Sequence, residues 1–191
     1  MKSFAIVLSC LVFVACGDKP KPVADTRPAS TSTPTSSSTP SGPREDCSTQ
    51  SGAEFAGGFT RRENLVVGPL SLIGGGTYTP RAVVREFGGQ KYPLLVMAGH
   101  TVAVSLPPEA RAIAGLAYGP LPQGETKMRD TYRKITFVAC GSDHTISSAD
   151  GAAVTFWSGA VLTRRPACLP LEVTIDRGEP QRVSIPLGKH C

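Results

Sequence analysis

Residues 171–187 read LEVTIDRGEPQRVSIPL, and this stretch decides the fold class. On both sides of a central turn every second residue is apolar: Val173 and Ile175, then Val183, Ile185 and Leu187. Alternation with a period of two is typical of a β-strand that buries one face. The segment Arg177-Gly178-Glu179-Pro180 is rich in turn formers. The sequence therefore predicts an antiparallel hairpin of residues 171–176 and 182–187.

The same alternation recurs elsewhere in the second half of the chain. Val102, Val104 and Leu106 fall on one face of residues 101–106, opposite Thr101, Ala103 and Ser105. Turn residues punctuate six further apolar runs that we predict as strands: Leu65–Ile73, Tyr92–Met97, Thr101–Leu106, Tyr132–Cys140, Ala153–Trp157 and Ala160–Arg164.

Helix signals are few. Residues 79–88 begin with Thr79 at a capping position and Pro80 in the first turn, and they end at Gly88, which predicts one short helix. Residues 108–114 are a second candidate. Short strands, frequent Gly and Pro and little helix predict a mainly β fold, an antiparallel β-sandwich (Ig-like or similar) with one or two short helices and two disulfides.

Four cysteines lie in the predicted domain: Cys47, Cys140, Cys168 and Cys191. An even number outside the cytoplasm indicates disulfides, and four cysteines allow three connectivities. The hairpin brings Cys168 and Cys191 together at its open end, so we predict that bond. The remaining pair is then Cys47 with Cys140, which ties the start of the domain to a central strand.

The N-terminus has the pattern of an export signal. Lys2 precedes an apolar run, residues 4–15, which is too short to span a membrane. Its end, Phe13-Val14-Ala15-Cys16-Gly17, resembles the lipobox of bacterial lipoproteins, although Phe13 stands where leucine is usual. The resemblance implies cleavage after residue 15 and lipidation of Cys16 by diacylglycerol and palmitate. Val7-Leu8-Ser9-Cys10 also resembles a lipobox, but cleavage there would leave an apolar core that is too short.

A tether follows the predicted anchor. Residues 19–43 are nearly all Pro, Ser, Thr, Ala and Lys, which cannot bury enough apolar surface to fold. Such a chain spans on the order of 30 Å as a coil and roughly 90 Å when extended. The predicted organisation is a signal peptide (residues 1–15), a lipid-anchored disordered tether (16–46) and a β-rich extracytoplasmic domain (47–191). We expect the protein on the outer face of the cell membrane.

Composition narrows the partners. The net charge is +5 with 18% charged residues, a mild basic excess that suits anionic wall polymers or lipid head groups without requiring either. The expected partners are the membrane, through the lipid anchor, and an anionic wall polymer or an envelope protein. Export removes nucleic acid as a partner, and no cofactor motif is present. The basic pairs Arg61-Arg62 and Arg164-Arg165, with Arg81 and Arg85, are the candidate binding residues if they converge on one face.

The sequence gives weaker signals for metal binding or catalysis. His100, Cys140 and His144 have a spacing near that of cupredoxin copper sites, but no methionine follows His144 as an axial ligand and Cys140 is needed for a disulfide. The three histidines, His100, His144 and His190, lie in no hydrolase motif. The leading hypothesis is therefore a non-catalytic envelope lipoprotein that binds a wall polymer, a lipid or a protein partner. An envelope hydrolase or transferase that uses His100 or His144 is the alternative, and a copper carrier is the third.

Three segments carry one further resemblance: GLAYGPLPQG at residues 115–124, VTFWSG at 154–159 and RRPAC at 164–168. They are similar to segments of uncharacterised exported proteins of Gram-positive bacteria. The resemblance implies an envelope location and a single extracytoplasmic domain, and it implies no catalytic residue.

Overall fold

The computed structural model describes residues 42–52, 57–119 and 126–191. The predicted signal peptide, the predicted lipidation site Cys16 and most of the predicted tether lie outside these ranges. The strands are β1 Arg44–Glu45, β2 Leu65–Val67, β3 Leu70–Leu72, β4 Gly89–Lys91, β5 Leu94–Met97, β6 Thr101–Ser105, β7 Ala114–Tyr118, β8 Lys134–Val138, β9 Ile146–Ser147, β10 Ala153–Trp157, β11 Gly159–Thr163, β12 Ala167–Ile175 and β13 Gln181–Leu187. The helix α1 is Arg81–Phe87, and Met128–Asp130 and Ser142–His144 are single 3-10 turns. The mainly β, sandwich-like fold and both disulfides are confirmed.

Sheet 1 has the order β1-β8-β6-β12-β13, with antiparallel pairs except for the parallel β1/β8 pair. The sheet begins at Arg44, ahead of the predicted domain boundary at Cys47, because β1 pairs with β8 and the carbonyl of Pro43 accepts the amide of Thr136 at 3.0 Å. β6 alternates as predicted, with Val102 and Val104 buried.

The antiparallel β12/β13 hairpin forms as predicted, but its turn is tighter and lies earlier in the chain than residues 177–180, so the pairing register is shifted and Val173 pairs with Gln181. The amide of Gly178 donates to the carbonyl of Ile175 at 2.7 Å, and the two central residues, Asp176 and Arg177, have φ values of 47° and 71°. Positive φ at both central positions is what the hairpin turn of type I′ requires. Cys168 pairs opposite Pro186 in the ladder, and the chain beyond β13 returns Cys191 to it.

Sheets 2 and 3 share one long, bent ribbon. Sheet 2 has the order β2-β3-β5-β10-β9 and sheet 3 the order β4-β11-β7. β4 runs on into β5 across Tyr92-Pro93, β10 runs on into β11 across Ser158, and the two lines pair antiparallel. The bend is close-packed at Gly159, where a Cβ atom would clash with the ring of Tyr118.

One main core joins sheet 1 to the ribbon. Phe137 of sheet 1 packs edge-on against Tyr118, with ring centroids 5.4 Å apart, and lies 5.2 Å from Trp157. Glu45 is buried beside them at 3% exposure, and among the described residues its Oε2 atom has no hydrogen-bond partner. A smaller apolar cluster of Leu95, Val154 and Phe156 covers the outer side of sheet 2.

Three local predictions differ from the structure. Residues 65–73 form the two-stranded β2/β3 unit rather than one strand, because Gly68, with φ 54°, turns the chain. Residues 108–113 form successive turns rather than a helix, and they lead into β7. Helix α1 begins after Pro80 with no side-chain cap, since the Thr79 hydroxyl instead bonds the Tyr92 hydroxyl at 2.8 Å.

Candidate functional site

A polar groove of about 680 Å³ lies on sheet 1. Its floor is the outward side of the sheet, where alternation leaves polar side chains such as Ser105, Glu172 and Thr174. The turn before β7 and the segment before β8 supply its wall. The lining residues are Gly42, Pro43, Ser105, Arg111, Thr131, Tyr132, Arg133, Lys134, Glu172, Thr174 and Pro180.

Two arginines of the polar groove are held by backbone carbonyl groups. Nε of Arg111 donates to the carbonyl of Leu106 at 2.9 Å, and Nη1 of Arg133 donates to the carbonyl of Ala114. A guanidinium has five N–H donors, so each arginine keeps donors for a ligand after this contact. With Lys134 they give three cations against the single carboxylate of Glu172. The groove therefore favours an anion.

Tyr132 offers the polar groove an aromatic surface. Tyr132 is 40% exposed, and two 2.9 Å hydrogen bonds with the backbone of Leu116 fix its own backbone. Because the backbone is already fixed, only the side chain is left to be ordered when a ligand packs on the exposed ring. The hydroxyl groups of Thr131 and Ser105 lie along the same lining.

An amphipathic groove lies at the end of α1, beside sheet 3. It comprises two adjoining depressions of about 450 and 390 Å³ that share Phe87, Thr126 and Leu162. Val83 and Ala160 extend its apolar part. Phe87 is 66% exposed, the highest value among the large apolar residues that the structure describes as exposed.

Four cations border the amphipathic groove: Lys91, Arg85, Lys127 and Arg164. All four are exposed, and none forms an ion pair with another residue in the described part of the chain. Glu86 is the one carboxylate of the lining. This surface is apolar in the middle and positively charged around it.

The predicted binding arginines do not line one site. Arg164 borders the amphipathic groove, whereas Arg165 lines a third depression with Lys189 and Glu109. Arg61 pairs with Glu63 at 3.5 Å, and Arg62 is exposed away from both grooves. The structure instead brings Arg85 to Arg164, and it reveals Arg111 and Arg133, which carry no sequence signal because both lie in irregular segments.

His100 forms an exposed pair with Asp176. Its Nδ1 lies 2.6 Å from Oδ2 of Asp176, and Oδ1 of that carboxylate accepts the amide of Thr101 at 2.8 Å. These contacts, the Thr101 amide first and His100 second, lower the pKa of Asp176. His100 lines neither groove, and within the described residues no side-chain hydroxyl is hydrogen-bonded to it. The pair thus has an orienting carboxylate and no nucleophile in contact.

The other two histidines also lie at the surface. Nε2 of His144 is 3.3 Å from Asp143, and both side chains are more than two-thirds exposed. His190 stacks on Tyr78 with ring centroids 4.0 Å apart. A hydrolase would need one of these rings beside a carboxylate and a nucleophile in a cleft.

The copper hypothesis fails at Cys140. Its sulfur is bonded to that of Cys47, so it offers no thiolate to a metal. The described ranges hold no group of three or more His, Cys, Asp or Glu side chains placed to bind a metal ion.

The disulfides indicate an oxidising, extracytoplasmic compartment. Among the residues that the structure describes, no helix has the length and apolarity that a membrane crossing requires. The chain matches no protein-family model, and neither curated proteins nor solved structures gave a significant match.

Proposed function

We propose that this protein is a lipid-anchored, non-catalytic module of the cell envelope, and that its polar groove binds an anionic wall polymer. The observation that carries the proposal is the pair of guanidinium groups of Arg111 and Arg133, each held on a backbone carbonyl at one groove. Positioned cations cost less conformational entropy when they bind than free side chains do.

The ligand class follows from the donors. Guanidinium groups match phosphate and carboxylate oxygens with paired hydrogen bonds, and Lys134 adds a third positive charge. Tyr132 and the neighbouring hydroxyls suit the polyol or sugar units between the charged groups. A phosphate-bearing polyol polymer uses both kinds of contact.

The proposed cellular location of the module rests on other features. The disulfides support an extracytoplasmic location, and the lipobox-like residues 13–17 support an anchor at Cys16. The Pro/Ser/Thr-rich segment that follows supports a flexible tether, long enough to let the domain reach partners away from the bilayer. Metabolic labelling with a palmitate analogue tests the anchor: Cys16→Ala should lose the label and Cys10→Ala should keep it.

The binding test uses the purified mature lipoprotein in detergent micelles with poly(glycerol phosphate). Arg133→Met and Arg111→Met should each weaken binding about tenfold or more, because each removes charged hydrogen bonds from the ligand. Lys134→Met should weaken it less. The matched control is Arg182→Met, which removes an exposed arginine that is paired with Glu109 instead.

Two outcomes would count against the proposal. One is an equal loss in Arg182→Met and Arg133→Met, which would mean that only overall charge matters. The other is equal binding of an uncharged polyol polymer. Thermal unfolding of each variant separates lost binding from lost folding, and Lys134→Met, whose side chain holds no backbone carbonyl, keeps the test valid if an arginine variant unfolds.

An envelope hydrolase remains the second candidate because His100 and Asp176 form an oriented pair. Replacing His100 and His144 together by alanine decides between the two. We expect the double variant to bind the polymer and to support the cellular role as the wild type does. Loss of the role with binding retained would favour the enzyme.

A further inference from the structure

We propose that the amphipathic groove at the end of α1 is a second, independent binding surface that docks the domain onto an anionic lipid bilayer, with Phe87 entering the membrane interface. The proposal stands on a juxtaposition that the polymer site does not use. An exposed aromatic ring, an apolar floor and four cations that form no ion pair in the described part of the chain lie on one surface.

The apolar contact centres on Phe87. It is the last residue of α1, and Gly88, with φ 67°, turns the chain away immediately after it. The helix buries Val84 on its inner side and leaves Phe87 66% exposed beside Val83 and Leu162. An exposed aromatic ring that continues an apolar floor is typical of an interaction surface. At a bilayer it buries its apolar area at the boundary between headgroups and acyl chains.

The charges select the bilayer. Arg85, Lys91, Lys127 and Arg164 surround the ring, and within the described residues none is neutralised by an ion pair. Anionic headgroups attract basic side chains near the surface, and the attraction adds to the burial of Phe87. A second copy of this chain would bring the same four cations against each other, so charge complementarity disfavours self-association through this groove.

The experiment places a tryptophan at the groove of the full chain in vesicles. Trp157 is the single tryptophan and is 1% exposed, so its emission is a constant background. Phe87→Trp is compared with Val66→Trp, a control at an apolar residue that is 39% exposed on β2. Each variant is reconstituted in phosphatidylcholine vesicles with or without phosphatidylglycerol, and brominated lipids serve as quenchers.

We expect bromolipids to quench Phe87→Trp about twofold or more beyond Val66→Trp, and only when phosphatidylglycerol is present. In the Phe87→Trp background, Arg85→Gln, Lys127→Gln and Arg164→Gln should each lower the ratio of docked to undocked protein about fivefold. Arg61→Gln removes a cation that lies outside the groove and is paired with Glu63, and it should leave the ratio unchanged.

Three results would overturn the proposal. Equal quenching of the two tryptophan variants would mean that the groove does not meet the bilayer. Undiminished quenching without phosphatidylglycerol would remove the role of the four cations. A blue shift of Phe87→Trp that rises with protein density, with no bromolipid quenching, would show that another copy fills the groove. None of these results bears on polymer binding at Arg111 and Arg133, so the two proposals fail separately.

Discussion

Sheet 1 and the bent ribbon of sheets 2 and 3 are held together by different means. Sheet 1 is closed covalently at both edges: Cys47–Cys140 ties the end of β1 to the end of β8, and Cys168–Cys191 ties β12 to the chain beyond β13. The ribbon contains no half of either disulfide, and its bend depends on close packing at Gly159. The same chain thus uses covalent bonds on one side of its core and steric fit on the other.

One of the two grooves lies on each of these differently stabilised parts of the molecule. The polar groove lies on the covalently closed sheet, and its arginines are fixed by backbone carbonyls. The amphipathic groove lies beside sheet 3, and its cations extend without partners among the described residues. Fixed donors suit a ligand with a defined repeat, whereas free cations around an apolar centre suit a fluid surface.

Removing the disulfides should give the largest effect. In the loop-entropy model, Cys47→Ser with Cys140→Ser costs about 4–5 kcal/mol of unfolding free energy, since 93 residues separate the two cysteines. The Cys168–Cys191 bond closes a separation of only 23, so Cys168→Ser with Cys191→Ser should cost about 3 kcal/mol. Urea unfolding of both double variants measures the difference, and an equal loss would contradict the dependence on loop length.

Gly159→Ala tests the ribbon by adding one methyl group. The Cβ atom would meet the ring of Tyr118, which is 2% exposed and cannot move away freely, so we expect a loss of about 2–3 kcal/mol. The matched control is Gly52→Ala, where a Cβ atom meets nothing within 4 Å. Chemical unfolding decides it, and a Gly159→Ala variant as stable as the control would mean that the bend is not close-packed.

Glu45→Leu should stabilise sheet 1. A carboxyl group that is 3% exposed, and whose Oε2 has no hydrogen-bond partner within residues 42–52, 57–119 and 126–191, costs free energy, and leucine of similar size removes that cost. We expect a gain of about 1–2 kcal/mol. Glu179→Leu, at an exposed position after the β12/β13 turn, is the control. A destabilised Glu45→Leu variant would indicate that the carboxylate has a partner in solution.

The smallest expected effect is on the pH dependence of folding stability, to which one carboxylate in each region contributes. Hydrogen bonds hold the pKa of Asp176 in sheet 1 and of Asp150 beside sheet 2 below 3.8, the first through the Thr101 amide and His100, the second through Ser148 and the Phe59 amide. A lowered pKa in the folded state contributes stability above pH 3.8 that is lost as the pH falls through the lowered value. Asp176→Asn and Asp150→Asn should each make the thermal unfolding midpoint less dependent on pH below pH 4. An unchanged profile in both would contradict the assignment.

The fold is most predictable from the sequence where polar and apolar residues alternate along a strand. The β12/β13 hairpin, β6 and both disulfides were predictable because polar and apolar residues alternate and the cysteines are even in number. β7 was missed since all five of its residues are buried, leaving an Ala- and Gly-rich run without alternation. The two-residue β1 gives no pattern at all.

The site was harder to predict than the fold. Arg164 and Arg165 follow β11 directly, and successive side chains of an extended chain point to different surfaces. A basic pair in the sequence is therefore not a pair in space. Arg111 and Arg133 meet only because a turn and the start of β8 border the same sheet. No local pattern encodes that meeting.

The placement of the disulfides also determines how the domain responds to mechanical force. A pull applied between residue 42 and Cys191 passes from Cys47 directly to Cys140, and from Cys168 directly to Cys191, so both closed loops are shielded from the load. Only residues 141–167, which contain β9, β10 and β11, lie on the load path between the two bonds. At full extension these residues span roughly 90 Å. β9, β10 and β11 are therefore the strands that yield under tension, and the domain stops lengthening once they have been drawn out.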